Sequence, residues 1–246
     1  MSGSLTGPFD ADPAGSAGAG ASAQRGRGSA GQAGDPAPAP VGGTASAAPS
    51  GPLDQAAVLG LYRATGALRS GHFTLSSGRH SDTYLQSALV LQWPRLAEAL
   101  GRAMAGPFAG RADVVVAPAV GGLLIGHEVA RELGVRMVFA ERAGGAMRLR
   151  RSFALVPGER ALLAEDVVTT GGSVREVAGL VTAAGAVPVA LAAIVDRRPA
   201  GAAGDLPMTA LARVDAATWD AAECPLCQDG GDAESPGSRR LSGHTS

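Results

Sequence analysis

The sequence predicts an α/β domain whose open, mostly parallel sheet is flanked by helices on both faces. Two observations lead to this prediction. Apolar strand-like segments alternate with helical ones twice, over 113–141 and over 160–196, and the order strand, helix, strand is that of a parallel crossover unit. The strands at 113–117 and 187–196 are also apolar along nearly their whole length, as expected of strands buried on both faces.

The elements before the first crossover unit follow from apolar spacing and turn residues. Val58, Leu61 and Leu68 recur at roughly helical spacing, which predicts an opening helix over 54–68. Pro94 suits the first turn of a helix and predicts a second one that ends near residue 104. Between these helices, short strands are predicted over 72–75 and 83–88.

The crossover units have residues that suit their ends. Pro118 stops the strand at 113–117, Gly121 and Gly122 open the next helix, and Gly134 is placed to cap that helix after Leu133. The other predicted elements are a strand over 136–141, a strand over 160–166, a helix over 171–184 and a strand over 187–196. Between the units, the glycine-containing segment 143–155 predicts a flexible flap beside the sheet.

Composition sets the limits of this domain. Residues 1–52 are mostly Gly, Ala, Ser and Pro, so they bury too little apolar surface to offset the entropy of ordering and are predicted to form a disordered leader. Residues 229–246 have one large apolar side chain, Leu241, and are predicted to form a loose C-terminal tail. The folded domain is therefore predicted over 53–228.

Charge and hydropathy narrow the classes of partner. The formal net charge is −1, and the 21 basic residues are all arginine. A balance so close to zero argues against binding to nucleic acid or an acidic membrane and favours a small-molecule ligand. The sequence has no apolar run of about eighteen residues and no pattern typical of a secretory signal, so a cytoplasmic protein is expected.

The two cysteines, Cys224 and Cys227, form a Cys-x-x-Cys pair, which is half of a zinc site. A structural Zn²⁺ at this pair would need further ligands, either the cysteines of a partner subunit or another residue such as His244. A reducing compartment would otherwise keep both cysteines as thiols. The sequence is consistent with either a zinc site or two free thiols.

The segment Leu162–Ser173 carries the strongest chemical signal. An apolar strand delivers Glu165 and Asp166 to its carboxyl end, and a loop of threonines and glycines then enters a helix. Hydroxyl groups and free backbone N–H groups at a helix start suit a phosphate dianion, whose charge the helix dipole favours. Two carboxylates beside a phosphate need hydrogen-bond donors, such as ribose hydroxyls or magnesium-bound water. The alternative is an ordinary strand end followed by a capped helix.

This segment resembles the signature of type I phosphoribosyltransferases that binds 5-phosphoribosyl 1-diphosphate (PRPP). Further segments are similar to orotate phosphoribosyltransferases: 73–84, 117–122, 128–135, 139–142, 149–153 and 196–197. Segments 223–227 and 236–239 resemble the C-terminal end of a bacterial branch of this family typified by Thermus enzymes. The similarity spans roughly 53–240. It implies the type I phosphoribosyltransferase fold, with a small N-terminal hood and a flexible flap.

The resemblance implies an enzyme of pyrimidine (UMP) biosynthesis that transfers the phosphoribosyl group from PRPP, with Mg²⁺ bound, to orotate. It also implies a homodimer whose flap reaches the neighbouring active site. Among the implied catalytic residues, Glu165 and Asp166 would hold the ribose hydroxyls and Arg142 would stabilise the leaving group. Arg197 would pair with orotate. The remaining residues implied in substrate binding are Tyr84, Pro118, Gly121, Gly122, Val167, Val168, Thr169, Thr170, Gly171, Gly172 and Ser173.

The sequence departs from the family pattern in having no lysine. Orotate enzymes typically carry lysines near the pyrophosphate and on the flap, where this chain has Ala146 and the arginines Arg142, Arg148, Arg150 and Arg151. Arginine can stabilise leaving-group charge but does not donate a proton to it, so the general acid would have to be a histidine or water, or the reaction would proceed without one.

Several assignments keep an alternative. Arg197 could instead form a surface ion pair with Asp196 or Asp215, and Tyr84 could close the core rather than stack on the pyrimidine. His80, a candidate because it lies in the similar segment 73–84, could simply hydrogen-bond a turn. For the activity, the alternatives are a purine phosphoribosyltransferase and a non-catalytic PRPP-sensing regulator. The sequence motifs favour orotate over a purine, whereas the absence of lysine favours the regulator.

Overall fold

The computed structural model describes residues 52–75, 77–199 and 204–236. The predicted leader lies outside these ranges except for Pro52, and so do residues 237–246 of the predicted tail. Within the described ranges, no helix is long and apolar enough to cross a membrane.

The helices and strands follow the predicted order with several additions. The helices are α1 (Gln55–Ala64), α2 (Ala88–Leu91), α3 (Pro94–Ala105), α4 (Gly122–Leu133), α5 (Gly172–Ala183) and α6 (Pro225–Gln228). The strands are β1 (Leu68–Thr74), β2 (His80–Leu85), β3 (Val114–Pro118), β4 (Arg136–Ala143), β5 (Ala146–Leu149), β6 (Arg160–Val168), β7 (Val187–Asp196), β8 (Met208–Arg213) and β9 (Thr218–Trp219).

The main sheet confirms the predicted fold class. Its strand order is β5-β4-β3-β6-β7-β8, and the neighbouring strands from β4 to β8 are parallel. Only β5 pairs antiparallel, with β4. All of β3 and most of β6 and β7 are buried, which explains their continuous apolar sequences.

The order of connection creates a crevice at one edge of this sheet. From β3 the chain crosses through α4 to β4 on one side, whereas β6 lies on the other side of β3 and leads through α5 to β7. Helices that follow β3 and β6 therefore diverge, and open α/β sheets bind ligands at the carboxyl ends of the strands where this happens.

Two apolar clusters cover the two faces of the sheet. One contains the inward residues of α1, α3 and α4, and the other contains those of α5. The α3–α4 contact is close at Gly101, where a Cβ atom would lie 2.5 Å from the Cβ of Glu128. Both clusters pack against the strands that end at the crevice, so the strand ends rest on a rigid base.

A small antiparallel sheet, β1-β2-β9, forms the predicted hood. Residues 229–236 continue along it: Thr74 N–H donates to the Glu234 carbonyl over 2.8 Å, and the Arg69 guanidinium meets the Glu234 carboxylate at 2.6 Å. Residues 229–236 therefore contact the hood, although the sequence predicted a loose tail here. The sequence pattern did not predict these contacts because the partners of Glu234 are far away along the chain.

Several boundaries differ from the predictions by a few residues, and three of these differences are described here. The first helix ends at Ala64 rather than at Leu68, since Gly66 has φ 71° and Leu68 already begins β1. The strand predicted over 83–88 is β2, which begins earlier and ends at Leu85. The flap is a β4–β5 hairpin whose turn is Gly144-Gly145, with φ 60° and 83°, and the strand stops at Leu149.

Candidate functional site

The crevice brings the loop after β3 against the tip of β6. A Cβ atom on Gly121 would lie 2.6 Å from Oδ1 of Asp166, and one on Gly122 would lie 2.9 Å from the Ala164 carbonyl oxygen. Both distances are too short for any side chain, so this approach requires glycine at both positions. The predicted pyrophosphate loop and the predicted acidic residues therefore form one site, although Pro118 and Gly122 themselves are buried at the ends of β3 and α4.

Glu165 and Asp166 differ in environment although they are adjacent. Glu165 is 8% exposed, whereas Asp166 is half-buried at the crevice. Burial, reinforced by the neighbouring charge of Asp166, raises the pKa of Glu165 to about 9. At neutral pH Glu165 is therefore a neutral acid, which can donate one hydrogen bond and accept others. This arrangement reduces the repulsion that two carboxylates would exert on a nearby phosphate.

Residues Thr169–Ser173 form a loop, called the Thr–Gly loop, that connects β6 to α5. Gly171 has φ 73°, in the left-handed region that favours glycine. Thr170 Oγ1 accepts a hydrogen bond from Gly172 N over 3.4 Å, and its carbonyl accepts one from Arg175 at 3.1 Å. The loop, Val167 and Val168 surround a small cavity of about 70 Å³ beside Glu165. Amide and hydroxyl groups at the start of a twelve-residue helix make this cavity suitable for a phosphate.

A larger cleft of about 1420 Å³ lies between the hood and the carboxyl edge of the sheet. Gly121, Thr169 and Thr170 line it from the sheet, and the hood contributes residues between Thr74 and Gln86. The predicted binding residues Tyr84 and Arg197 both line this cleft. The phosphate-sized cavity thus opens beside a space that can hold a larger, flat ligand.

Arg197 is the cation of this cleft with the fewest internal partners. Its backbone N–H donates to the Val168 carbonyl over 2.8 Å, which fixes it beside the end of β6. Its guanidinium is half-buried, burial lowers its pKa, and the charge of Asp82 opposes that shift. Among the described residues, no side chain forms a hydrogen bond or ion pair with this guanidinium.

The alternative partners of Arg197 are engaged elsewhere. Asp196 pairs with Arg198 at 3.0 Å and with Arg213 at 3.3 Å, and Asp215 pairs with Arg213 at 3.1 Å. A half-buried guanidinium without an internal anion is suited to an external carboxylate or carbonyl pair. The surface ion pair considered for Arg197 is therefore absent from the described residues.

Tyr84 lines the cleft and also contacts other residues beside it. Its ring packs on Phe73 with 5.6 Å between ring centres, and its hydroxyl donates to the Pro236 carbonyl over 3.4 Å. The side chain is half-buried rather than part of the core. Tyr84 therefore presents an aromatic surface to a ligand in the cleft.

Arg142 lies away from these groups, near the turn of the flap. Its guanidinium donates to Glu176 of α5 over 2.8 Å and to the Gly145 carbonyl over 2.6 Å. Arg142 does not line either cavity described above. The cleft therefore brings together most of the predicted binding residues. Arg142, the residue predicted to stabilise the leaving group, instead contacts the neighbouring helix α5.

Cys224 and Cys227 lie beside the hood, where His72 and His80 face them. His72 is not among the residues that the sequence motifs predicted. The signal that could have found it is its spacing from Thr74, since alternate residues of a strand share a face and the hairpin places His80 opposite Thr74.

Known proteins resemble this chain over the region that contains the site. The model of the phosphoribosyl transferase domain matches residues 87–209. An orotate phosphoribosyltransferase of Acidithiobacillus ferrooxidans is 50% identical over 75% of this chain and 97% of its own length. That of Caldanaerobacter subterraneus subsp. tengcongensis is 44% identical over 77% and 100%. The crystal structure of orotate phosphoribosyltransferase from Aeropyrum pernix has the same fold, with a TM-score of 0.54 and 22% identity over 64% of this chain and 93% of that one.

The raised pKa of Glu165 predicts a pH-dependent stability. Glu165 binds its proton more tightly in the folded chain than in the unfolded one, where its pKa is near 4.5, so the free energy of unfolding should fall as pH rises from 4.5 to about 9. Glu165→Gln should remove this dependence and raise the free energy of unfolding by about 1–3 kcal/mol at pH 7. Denaturant titrations at several pH values measure it. Glu132→Gln, on the exposed side of α4, is the control, and equal pH profiles for wild type and Glu165→Gln would contradict the prediction.

Proposed function

Since the chain belongs to the orotate phosphoribosyltransferase family, we propose that it transfers the 5-phosphoribosyl group of PRPP to N1 of orotate and releases orotidine 5'-monophosphate and pyrophosphate. The observation that carries this proposal is the placement of a phosphate-sized cavity, two acidic side chains and Arg197, whose guanidinium has no side-chain partner among the described residues, around one cleft. Each of these groups matches a different part of the two substrates.

The PRPP side of the cleft is formed by the tip of β6. The Thr–Gly loop binds the 5'-phosphate through backbone N–H groups and hydroxyls, with the dipole of α5 favouring its charge. Asp166 accepts hydrogen bonds from the ribose hydroxyls, and neutral Glu165 can both donate to and accept from them. Holding the sugar at both ends orients C1 towards the cleft, which is where the second substrate binds.

The orotate side is formed by Arg197 and the hood. A planar guanidinium can form two parallel hydrogen bonds to a carboxylate or a carbonyl edge. Tyr84 lies across the same cleft and offers its ring to the pyrimidine. Because Arg197 is hydrogen-bonded through its backbone to β6, orotate and the ribose are held by the same strand end, and this favours in-line attack of N1 on C1.

The leaving pyrophosphate needs positive charge and hydrogen-bond donors. The loop after β3 supplies backbone N–H groups at Gly121, next to Asp166. The oxygen donors of Asp166 and the threonine hydroxyls fit Mg²⁺, which prefers oxygen ligands and would neutralise the diphosphate charge when bound with PRPP. The flap supplies arginines rather than lysines, so it stabilises the leaving group electrostatically and water takes part in any proton transfer.

We place the flap's action in a homodimer, where Arg142 would leave Glu176 and reach the leaving group of the neighbouring site. Its ion pair with Glu176 is solvent-exposed on both sides, with side chains 46% and 39% accessible. Exposed ion pairs contribute little to stability because water and salt screen them, so exchanging this partner costs little. The homodimer and a cytoplasmic location stay predictions from the sequence.

The direct test is loss of orotate absorbance when purified full-length chain receives PRPP and Mg²⁺. We expect this loss only when both are present, and we expect no nucleotide product, as measured by chromatography, when adenine, hypoxanthine or xanthine replaces orotate. Turnover of a purine would contradict the proposal in favour of a purine enzyme. PRPP binding by calorimetry without turnover of any base would instead support the non-catalytic regulator.

Arg197→Ala is expected to raise KM for orotate by about 10–100-fold, since a charge-assisted bidentate contact is lost, with a much smaller change in KM for PRPP. Arg197→Lys should fall between wild type and alanine because it keeps the charge without the fork. Steady-state kinetics measure both constants. Arg95→Ala, an exposed arginine on α3, is the control, and an unchanged KM for orotate in Arg197→Ala would remove Arg197 from the binding site.

Arg142→Ala is expected to lower kcat by about 10–100-fold while KM for orotate changes by less than about threefold, because it removes charge stabilisation of the leaving group. Glu176→Gln is the matched control, since it breaks the same ion pair but keeps the arginine. Equal losses of kcat in the two variants would indicate that Arg142 acts only through its contact with Glu176. Unchanged turnover in Arg142→Ala would exclude the assignment.

A further inference from the structure

Both cysteines of the chain and two of its four histidines converge beside the hood. One ligand atom from each of His72, His80, Cys224 and Cys227 lies within 4.8 Å of the other three. The shortest separations are 2.9 Å between His72 Nε2 and His80 Nδ1, and 3.3 Å between Cys227 Sγ and His80 Nδ1. Cys224 Sγ lies 3.4 Å from His72 Nε2, and Cys227 Sγ lies 3.6 Å from it.

Three chain segments build this cluster. The β1–β2 register pairs Thr74 with His80, and His72 shares the face of Thr74, so both histidines project from one face of the hairpin. The cysteines come from the other end of the chain, at the start and within the short helix α6. Nothing in local secondary structure requires these segments to meet, so the convergence is a property of the tertiary fold.

The hydrogen bond to Gly231 leaves Nε2 of His72, the nitrogen that points into the cluster, available to bind a metal. His72 Nδ1 lies 2.9 Å from the Gly231 carbonyl oxygen, which can only accept, so Nδ1 carries the proton. Nε2 then has a lone pair, and it is the atom that points to the two sulfurs. Metal-binding histidines are held in this way, with the second nitrogen donating to a carbonyl. His80 is placed similarly, with Nε2 3.5 Å from Thr74 Oγ1 and Nδ1 in the cluster.

The distances and the burial also suit a metal ion. A tetrahedral zinc with two nitrogen and two sulfur ligands separates neighbouring ligand atoms by roughly 3.3–3.8 Å, given its usual bond lengths. Most of the separations above are close to this range. Cys224 is fully buried and His80 is 9% exposed. Both cysteines are free thiols rather than a disulfide.

We propose that His72, His80, Cys224 and Cys227 of a single chain bind one Zn²⁺ in a closed structural site. Two thiolates and two imidazoles favour zinc over the hard cations. Each cysteine releases its proton to solvent as its sulfur bonds to the metal, so the two thiolates balance the charge of the ion. All four positions are taken by side chains, which leaves no open position for chemistry. This set requires neither a partner subunit's cysteines nor His244.

The metal would fix the part of the hood that faces the cleft. The segment between the two histidines carries Leu75, Ser77 and Arg79, which line the large cleft. The hood is small: its sheet has three strands, and β9 has two residues. Such sheets bury little apolar surface and are marginally stable alone. A metal that joins β1, β2 and α6 would stabilise the hood in place of a larger apolar core and hold this loop in place.

Metal content of full-length protein purified without chelators tests the proposal, and its readout is independent of enzymatic activity. We expect about one zinc per chain. After chelation, cobalt added in its place should give the visible absorption of tetrahedral Co²⁺ with thiolate ligands. Zinc at trace level with no cobalt spectrum on reloading would overturn the proposal. One zinc per two chains would also overturn it, because it indicates a site shared between subunits.

Variants identify the ligands. Cys227→Ser and His80→Ala should each lower zinc affinity at least tenfold, as measured by competition with a chromogenic chelator, whereas His127→Ala on the exposed face of α4 should bind as wild type does. His80→Cys keeps a fourth ligand and should retain zinc, which separates loss of a ligand from loss of folding. Wild-type affinity in both Cys227→Ser and His80→Ala would place the metal elsewhere.

Discussion

The close approach of the Gly121–Gly122 backbone to the tip of β6 is the contact on which the rest of the site depends. It places a loop of backbone N–H groups directly against Asp166, at the point where the helices after β3 and β6 diverge. A side chain at Gly121 would push the loop away from Asp166, and one at Gly122 would push it away from the Ala164 carbonyl. The loop that faces the leaving group and the strand end that holds the sugar are therefore in direct contact.

This crowding also accounts for the electrostatics. The strand that carries Glu165 is buried by helices on both faces, so its carboxyl group is removed from water while Asp166 remains at the edge. Burial then raises the pKa of Glu165, so that this carboxyl group is neutral at pH 7 beside Asp166. A site that receives a phosphate and a diphosphate benefits from this, because it keeps hydrogen-bonding capacity with less negative charge.

The hood and the C-terminal segment complete the cleft from the opposite side. Their own sheet is small, with three strands of which β9 has two residues. Polar contacts join their segments, from the Arg69–Glu234 ion pair to the cluster of histidines and cysteines. The residues that line the cleft from above thus depend on cross-links between segments far apart in the sequence, whereas those below depend on apolar packing.

The sequence by itself determined the parallel sheet, the two crossover units and the loop that joins acidic residues to a helix start, because these are written in local periodicity and in glycine and proline positions. It also placed Arg197 at the end of the last long strand. Only the tertiary structure decided that Asp196 is occupied by Arg198 and Arg213, which leaves Arg197 to the cleft, and that Arg142 rests on Glu176. The short strands β8 and β9 and the meeting of His72 with Cys224 likewise came from pairing across long stretches of chain. Such contacts depend on which distant segments pack together, and no spacing within one segment records that.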